Sequence, residues 1–284
     1  MKANALFALV LLTLTVGCAH AKIVEDIVDV PVTVRGSARQ EVSQSIKLTI
    51  FRDDSVGKAP YLVLNHGRPA DVADFPKMGR QRFSANSRYF VSLGFVVLVP
   101  TRVGYGEMGG PDVEYSGQCN RKNFAPAVTA AADQTIQILQ AASKLAFVDV
   151  SRGLVVGQSF GGLTAISLAS RDVPGLKGAV NFSGGSGGNP VERPEHPCSP
   201  DELTRVYERY GKEAKVPTLW LYSENDQFWG PALPRQWFDG YTSAGGKGRF
   251  IPLPSYQDNG HGIFTGNPDA WKAAFEAFAH SVGF

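Results

Sequence analysis

The chain has 284 residues, of which 43% are hydrophobic and 19% charged, and its formal net charge is +2 at pH 7. This length is enough to bury one sizeable core, and the nearly neutral charge argues against a nucleic-acid groove, which needs a concentrated basic stripe. No repeat, charge block or long linker divides the sequence, so we predict one domain over residues 22–284.

Residues 1–21 have the pattern of a secretory signal peptide. A basic residue precedes the apolar run Ala5–Val16, and an Ala-x-Ala site ends at Ala21. The run is short for a transmembrane helix, which needs about 20 apolar residues, so no stable membrane span is expected. Cleavage after Ala21 predicts a periplasmic or secreted protein. The alternative is a lipoprotein modified at Cys18.

The first two predicted strands, Ile27–Val34 and Gln44–Phe51, alternate apolar and polar residues, as a half-exposed antiparallel pair does. Later strands are largely apolar, which is typical of parallel strands covered on both faces. They are Tyr61–Asn65, Phe95–Pro100, Gly153–Gly157, Gly178–Phe182, Thr218–Tyr222 and Arg249–Leu253. Helical patterns occur at Pro126–Leu145, Leu163–Ser170 and Trp271–Phe284. The alternation predicts an α/β sandwich with a mostly parallel central sheet and an antiparallel amino-terminal edge.

A literal Gly-x-Gly-x-x-Gly follows one of these strands at residues 104–109. A dinucleotide-binding motif of this kind opens a helix whose N-terminus holds pyrophosphate, whereas here residues 110–112 continue a loop. We therefore expect a loop that lines the site and no nicotinamide or flavin cofactor. Tyr105 in this loop either faces the pocket or packs against the core.

The strongest functional signal is Gly-Gln-Ser-Phe-Gly at residues 157–161. It lies between a buried strand and a helix, which is the context of a nucleophile elbow. Glycine suits both ends of the motif because a Cβ there would collide with the strand or the helix. The motif predicts Ser159 as a nucleophile with an exposed hydroxyl on a strained turn.

A serine hydroxyl is a poor nucleophile until a base takes its proton. In an elbow-containing chain the acid follows the serine and the base comes last. His261 lies in a glycine-flanked loop just before the last helix, whereas His196 lies in an irregular polar loop and His280 in the helix itself. We therefore predict His261 as the base.

The acid is expected after the strand Thr218–Tyr222, which lies between serine and histidine in the chain. We predict Asp226, with Glu224 as the alternative, because a carboxylate must hold the imidazole tautomer. The oxyanion needs preorganised donors. We predict the backbone N–H of Phe160, directly after the nucleophile, and that of Arg68, in the loop after an early central strand.

Cys119 and Cys198 both lie in polar loops and form an even pair once Cys18 leaves with the signal peptide, so we predict a disulfide in an oxidising compartment. Neither has the spacing of a zinc site, and no metal is expected.

Residues 184–214 begin with a glycine-rich run, contain one helix-like piece at Pro200–Tyr210, and are predicted to form a small lid or rim. Three aromatic residues follow the predicted acid, and they either line an apolar acyl or aryl pocket or belong to the core: Phe228, Trp229 and Trp237.

Together these segments resemble the α/β-hydrolase superfamily, and within it the dienelactone hydrolase-like and prolyl oligopeptidase-like group. The resemblance covers roughly residues 45–284 and is carried by five motifs, namely Asn65-His66-Gly67, Arg102-Val103-Gly104-Tyr105-Gly106, Gly157–Gly162, Glu224-Asn225-Asp226 and Gly260-His261. Dienelactone hydrolase has a cysteine where this chain has Ser159, so dienelactone is not the expected substrate. Prolyl oligopeptidases carry a large propeller domain, for which too few residues precede the catalytic pattern here.

The resemblance and the motifs predict an exported serine hydrolase that cleaves small carboxylic esters through a Ser159–His261–Asp226 triad and an acyl-enzyme, without a cofactor. Two alternatives stay open. One is a small serine peptidase or amidase that uses the same triad. The other is a non-catalytic exported binding protein on a hydrolase fold.

Overall fold

The computed structural model describes residues 22–37 and 39–284, so the predicted signal peptide lies outside the described residues. All eight predicted strands are present, and several extend beyond their predicted bounds. They are β1 Ile23–Arg35, β2 Glu41–Asp53, β3 Ala59–Asn65, β4 Val96–Pro100, β5 Val148–Gln158, β6 Leu176–Phe182, β7 Thr218–Ser223 and β8 Gly248–Leu253.

The strands form one sheet in the order β1-β2-β4-β3-β5-β6-β7-β8. β1 pairs with β2 and β2 with β4 in antiparallel register, and the remaining neighbours are parallel. This confirms the mostly parallel sheet with an antiparallel amino-terminal edge. The chain runs from β3 outward to β4 and then returns to β5 on the other side of β3. Ligands bind beyond the carboxyl ends of the strands at such a switch point.

Seven helices accompany the sheet in the described part of the chain. They are α1 Ser84–Ser92, α2 Phe124–Ala142, α3 Phe160–Ala169, α4 Pro200–Glu213, α5 Ala232–Ser243, α6 Ile263–Gly266 and α7 Lys272–Ser281. The sequence patterns did not predict α1, α5 or the four-residue α6. Within the described residues, no helix combines the length and apolar character needed to cross a membrane.

Both faces of the sheet are covered, which explains why its central strands are largely apolar. In β7, Leu219 and Leu221 pack in the same core cluster as Phe275 of α7. The alternate side chain Trp220 packs with Tyr207 of α4 on the opposite face. Since successive side chains of a strand point to opposite faces, both sets must be apolar.

The structure also describes the two loop regions predicted from the sequence, residues 104–109 and the lid or rim at residues 184–214. Residues 104–109 form a loop with a single 3-10 turn, Gly106–Met108, and the next α-helix begins only at Phe124. In the region predicted as a lid, the first part is an irregular segment with one bridge, between Asn189 and Arg193. Its second part is α4, whose buried face packs against the core rather than standing free.

Candidate active site

Ser159 occupies the turn between β5 and α3, where its backbone has φ of +58° and ψ of −125°. A positive φ is strained for a residue with a side chain. A Cβ on Gly157 would lie 1.9 Å from the carbonyl oxygen of Gly161, so only glycine permits this close approach of strand and helix. The Ser159 carbonyl accepts the N–H of Gly162 at 2.8 Å, so the helix begins directly after the serine. The predicted strained turn is therefore present, although Ser159 as a whole is only 6% exposed.

His261 and Asp226 are brought together by two different loops. His261 Nδ1 lies 2.9 Å from Asp226 Oδ2, and the other carboxylate oxygen accepts the N–H of Phe228 at 2.8 Å. The side chain of Asn259 accepts the N–H groups of His261 and Gln227 at 3.0 and 3.1 Å. The carboxylate is thus held from both sides, and the loop that carries the histidine is tied to the loop that carries the aspartate.

The other candidates from the sequence lie elsewhere. Glu224, the alternative acid, is exposed, and its backbone N–H bonds to the carbonyl of Leu253. His196 and His280 are exposed as well. Among the histidines that follow Ser159, His261 is the one in contact with a predicted acid.

Aromatic rings enclose the imidazole of His261. Phe228 stacks on it with 3.9 Å between ring centroids and 23° between planes, and Trp229 meets it edge-on at 5.7 Å. Both aromatic residues also line the cavity described next. Trp237, by contrast, is fully buried and is not among the residues that line the cavity. It packs edge-on against Trp229. Two of the three predicted pocket aromatics therefore reach the cavity.

A cavity of about 440 Å³ lies beside Ser159. Its lining includes Phe160 and Arg68, whose backbone N–H groups are the predicted oxyanion donors. The N–H of Phe160 opens α3 and has no acceptor within that helix, as is general for the first residues of a helix. Gly67 lies against the nucleophile, since a Cβ on it would be 3.0 Å from the Cβ of Ser159.

Tyr105 is not among the residues that line this cavity. Its side chain is 1% exposed, and its hydroxyl donates to Glu114 Oε2 at 2.6 Å. Burial, and next the charge of Glu114, raise the pKa of Tyr105 well above its ordinary value. The structure thus favours packing over a pocket role for this residue.

The predicted disulfide between Cys119 and Cys198 is present, with 4.9 Å between the Cα atoms. Both cysteines line the cavity. The bond joins the loop before α2 to the irregular segment before α4, and Ser199 Oγ reinforces the junction by donating to the Cys119 carbonyl at 2.9 Å. The disulfide is therefore part of the cavity wall.

Much of that wall is polar. Arg68 forms two hydrogen bonds of 2.7 Å with Asp112, and although burial opposes its charge, the bond to Asp112 helps raise its pKa. Lys122 Nζ donates to the carbonyl of Gly117 at 2.5 Å. Burial, together with the charges of Arg68 and Arg193, lowers the pKa of Lys122. Sequence reasoning did not find Lys122 or Arg193, because no motif marks them and their loops are far apart in the sequence.

The sheet order, the strand–serine–helix turn and the enclosed histidine–aspartate contact define an α/β-hydrolase. Within that class, the chain belongs to the dienelactone hydrolase family, whose family model matches residues 78–282. No curated protein sequence matches the chain significantly.

Solved structures share this fold at low sequence identity. A Klebsiella pneumoniae protein assigned as a dienelactone hydrolase has a TM-score of 0.57 and 15% identity, over 90% of this chain and 98% of its own. An acetyl xylan esterase from a Paenibacillus species has a TM-score of 0.60 and 19% identity, over 93% and 89%. A puromycin-hydrolyzing peptidase of Mycobacterium tuberculosis has a TM-score of 0.61 and 17% identity, over 90% of this chain but only 39% of the peptidase.

Proposed function

We propose that the protein is an exported serine hydrolase of small carboxylic esters. Ser159 is the nucleophile, His261 the general base and Asp226 the residue that orients the base. The observation that carries the proposal is the 2.9 Å contact between His261 Nδ1 and Asp226 Oδ2, beside the cavity that Ser159 lines. A proton on Nδ1, shared with the carboxylate, leaves Nε2 free to accept the serine proton.

The proposed reaction has two stages. Ser159 Oγ attacks the ester carbonyl carbon while His261 takes its proton, and the N–H groups of Phe160 and Arg68 hold the oxyanion. The proton then passes to the leaving alcohol, and an acyl-enzyme remains. A water molecule, activated by His261, attacks the acyl carbon and releases the acid, which restores the serine.

The polar cavity wall supports small substrates over long alkyl chains. Charged side chains from three loops reach the cavity, among them Arg68, Lys122 and Arg193. An extended alkyl chain placed against them would desolvate these groups without offering hydrogen bonds. We therefore expect acetyl and butyryl esters to be cleaved faster than palmitoyl esters.

A serine peptidase or amidase is the second candidate. It is supported by the similarity to the M. tuberculosis peptidase and to an acylaminoacyl peptidase of Pyrococcus horikoshii, which shares 14% identity at a TM-score of 0.60. The chain spans 42% of that second enzyme. Because both reactions use the same triad, the relative turnover of p-nitrophenyl esters and aminoacyl p-nitroanilides separates the two candidates.

The deciding experiment combines labelling with a fluorophosphonate and a turnover assay on a p-nitrophenyl ester. Wild-type protein is expected to carry the adduct on Ser159, and Ser159→Ala is expected to lose both the adduct and turnover. Ser186→Ala is the matched control, because Ser186 lines the same cavity and should keep both. A folded wild-type protein with neither adduct nor turnover would contradict the proposal and favour the non-catalytic binding protein.

A further inference from the structure

The peptide unit between Gly67 and Arg68 is held by its carbonyl side. The Gly67 carbonyl oxygen accepts a hydrogen bond from His66 Nδ1 at 2.6 Å and lies 3.5 Å from Arg102 Nη2. His66 and Arg102 are only 0% and 1% exposed, so this carbonyl points into the protein. In a trans unit the N–H points opposite to the C=O, and the described chain has no cis peptide bond. The N–H of Arg68 therefore points away from the buried pair.

His66 is held in one tautomer. Its Nε2 accepts the backbone N–H of Arg102 at 3.1 Å, so the ring proton is on Nδ1, where it can be donated to the Gly67 carbonyl. Burial, and next the charge of Arg102, lower the pKa of His66 well below its ordinary value, which keeps the ring neutral. The ring is thus a fixed donor rather than a proton carrier.

Arg102 connects this loop to a second buried segment. Its Nη1 donates to the His66 carbonyl at 2.8 Å, while Nε and Nη2 bind the two carboxylate oxygens of Glu114 at 2.6 and 3.2 Å. Both charged side chains are completely buried. Replacing a buried ion pair with apolar residues of similar volume often leaves stability unchanged, so net stabilisation is a weak reason for burying these charges.

We propose that Arg102, fixed by Glu114, is a positioning residue for the oxyanion hole. Through the carbonyl groups of His66 and Gly67, it sets the orientation of the peptide unit whose N–H, on Arg68, receives the oxyanion. This inference rests on the proposed hydrolase function and adds to it the residues that preorganise one donor. A donor already oriented in the free enzyme needs no reorganisation when charge develops on the substrate.

The expected effect falls on kcat, because a hydrogen bond to the oxyanion forms only as the tetrahedral state develops. Removing an entire oxyanion donor costs about 10²- to 10³-fold in kcat, so we expect a misoriented donor to cost roughly 10- to 100-fold. KM for the ester is expected to change little. Arg102→Met tests this directly, since it keeps the side-chain bulk but removes the hydrogen bonds and the charge.

The experiment measures kcat, KM and the free energy of unfolding for wild type, Arg102→Met, Arg102→Lys and Glu114→Gln. Arg80→Met is the matched control, because Arg80 pairs with Glu25 at 2.8 Å away from the cavity lining. The affinity for an aryl trifluoromethyl ketone, which forms a tetrahedral oxyanion on a serine, is compared with the affinity for the product acid. We expect ketone affinity to fall with kcat while product affinity stays constant. A further variant, Arg102→Ala, tests chemical rescue: added guanidinium ion is expected to restore part of its kcat.

Two results would overturn the positioning role. One is an unchanged kcat in folded Arg102→Met, or in Glu114→Gln if Arg102→Met does not fold. The other is a parallel loss of ketone affinity, product affinity and unfolding free energy, which assigns Arg102 a purely structural role. Wild-type protein that neither turns over esters nor reacts with a fluorophosphonate would instead contradict the proposed function, and the positioning role with it.

Discussion

His261 Nδ1 lies 2.9 Å from Asp226 Oδ2, although 35 residues separate the two in the chain. Asp226 follows the end of β7, and His261 lies in the 3-10 turn Gly260–Gly262 that precedes α6. A Cβ on Gly260 would lie 2.0 Å from Ser223 Oγ at the end of β7, so glycine is what allows the two loops to close on each other. The contact therefore depends on backbone approach as much as on the two side chains.

Asp226→Asn tests the role of this contact. The amide keeps the shape of the carboxylate but favours the wrong imidazole tautomer, so we expect kcat to fall about 10⁴-fold with the fold intact. Ester turnover and circular dichroism measure the two effects. Glu224→Gln is the control, and it should keep wild-type kcat because Glu224 is exposed. A loss of the same size in Glu224→Gln would contradict the assignment of the acid.

Phe228→Ala tests the ring that covers the imidazole of His261 at 3.9 Å. Aromatic stacks are worth about 0.5–1.5 kcal/mol, so we expect kcat to fall by up to about 10-fold as the imidazole gains freedom. Phe228→Tyr preserves the ring and should retain activity. Steady-state kinetics on both variants would show the difference, and equal rates for the two would exclude a contribution from stacking.

Removing the disulfide is expected to destabilise the protein. The bond spans 79 residues of sequence, and disulfides of this kind typically contribute about 2–4 kcal/mol by restricting the unfolded chain. We expect the double variant Cys119→Ser, Cys198→Ser to lose that much free energy of unfolding in urea. Wild-type protein under a reducing agent should match the variant, and a reductant should not affect the variant itself. Unchanged unfolding in both would contradict the prediction.

The buried His66 predicts an acid-sensitive stability. Its pKa is depressed in the folded state, mainly by burial and next by Arg102, whereas an unfolded chain titrates near its ordinary value of about 6.5. Below that pH the unfolded state binds the extra proton, so the free energy of unfolding falls as the pH drops, by at most about 1.4 kcal/mol per unit. The neighbouring charge of Arg102 adds to the cost of protonation.

Urea unfolding between about pH 5 and 6.5 measures this dependence, the upper limit being the ordinary histidine pKa. His66→Asn should reduce the slope by up to one proton, because unfolded His66 binds a proton that buried His66 does not. Equal slopes for His66→Asn and wild type would mean that His66 takes up its proton in the folded state.

The predicted signal peptide implies a defined amino-terminus for the mature protein. If residues 1–21 are a signal peptide, export in a bacterial host should yield a protein that begins at Lys22. Amino-terminal sequencing of the exported product measures this. Recovery of a membrane-associated protein that begins at a lipidated Cys18 would favour the lipoprotein alternative. Replacement of Cys18 by serine distinguishes the two, because it blocks lipidation and leaves the Ala-x-Ala site intact.

Local patterns in the sequence were enough to predict the eight strands, the antiparallel edge and the turn at Ser159. They were enough because apolar periodicity reports which faces of a strand or helix are buried, and because glycine at 157 and 161 reports a close backbone approach. The chain order of Ser159, Asp226 and His261 also follows from the sequence. Strand ends meet at one edge of a parallel sheet, so residues that follow different strands can be expected to converge.

The sequence predicted that His261 pairs with Asp226 and Cys119 with Cys198, but other contacts were decided only by the tertiary structure. Examples are the burial of Tyr105, whose role the sequence left open, and the ion pair between Arg102 and Glu114. These contacts join segments without a shared periodicity, and their geometry is set by tertiary packing and hydrogen bonds. No local pattern encodes such contacts, so they were beyond the reach of the sequence alone.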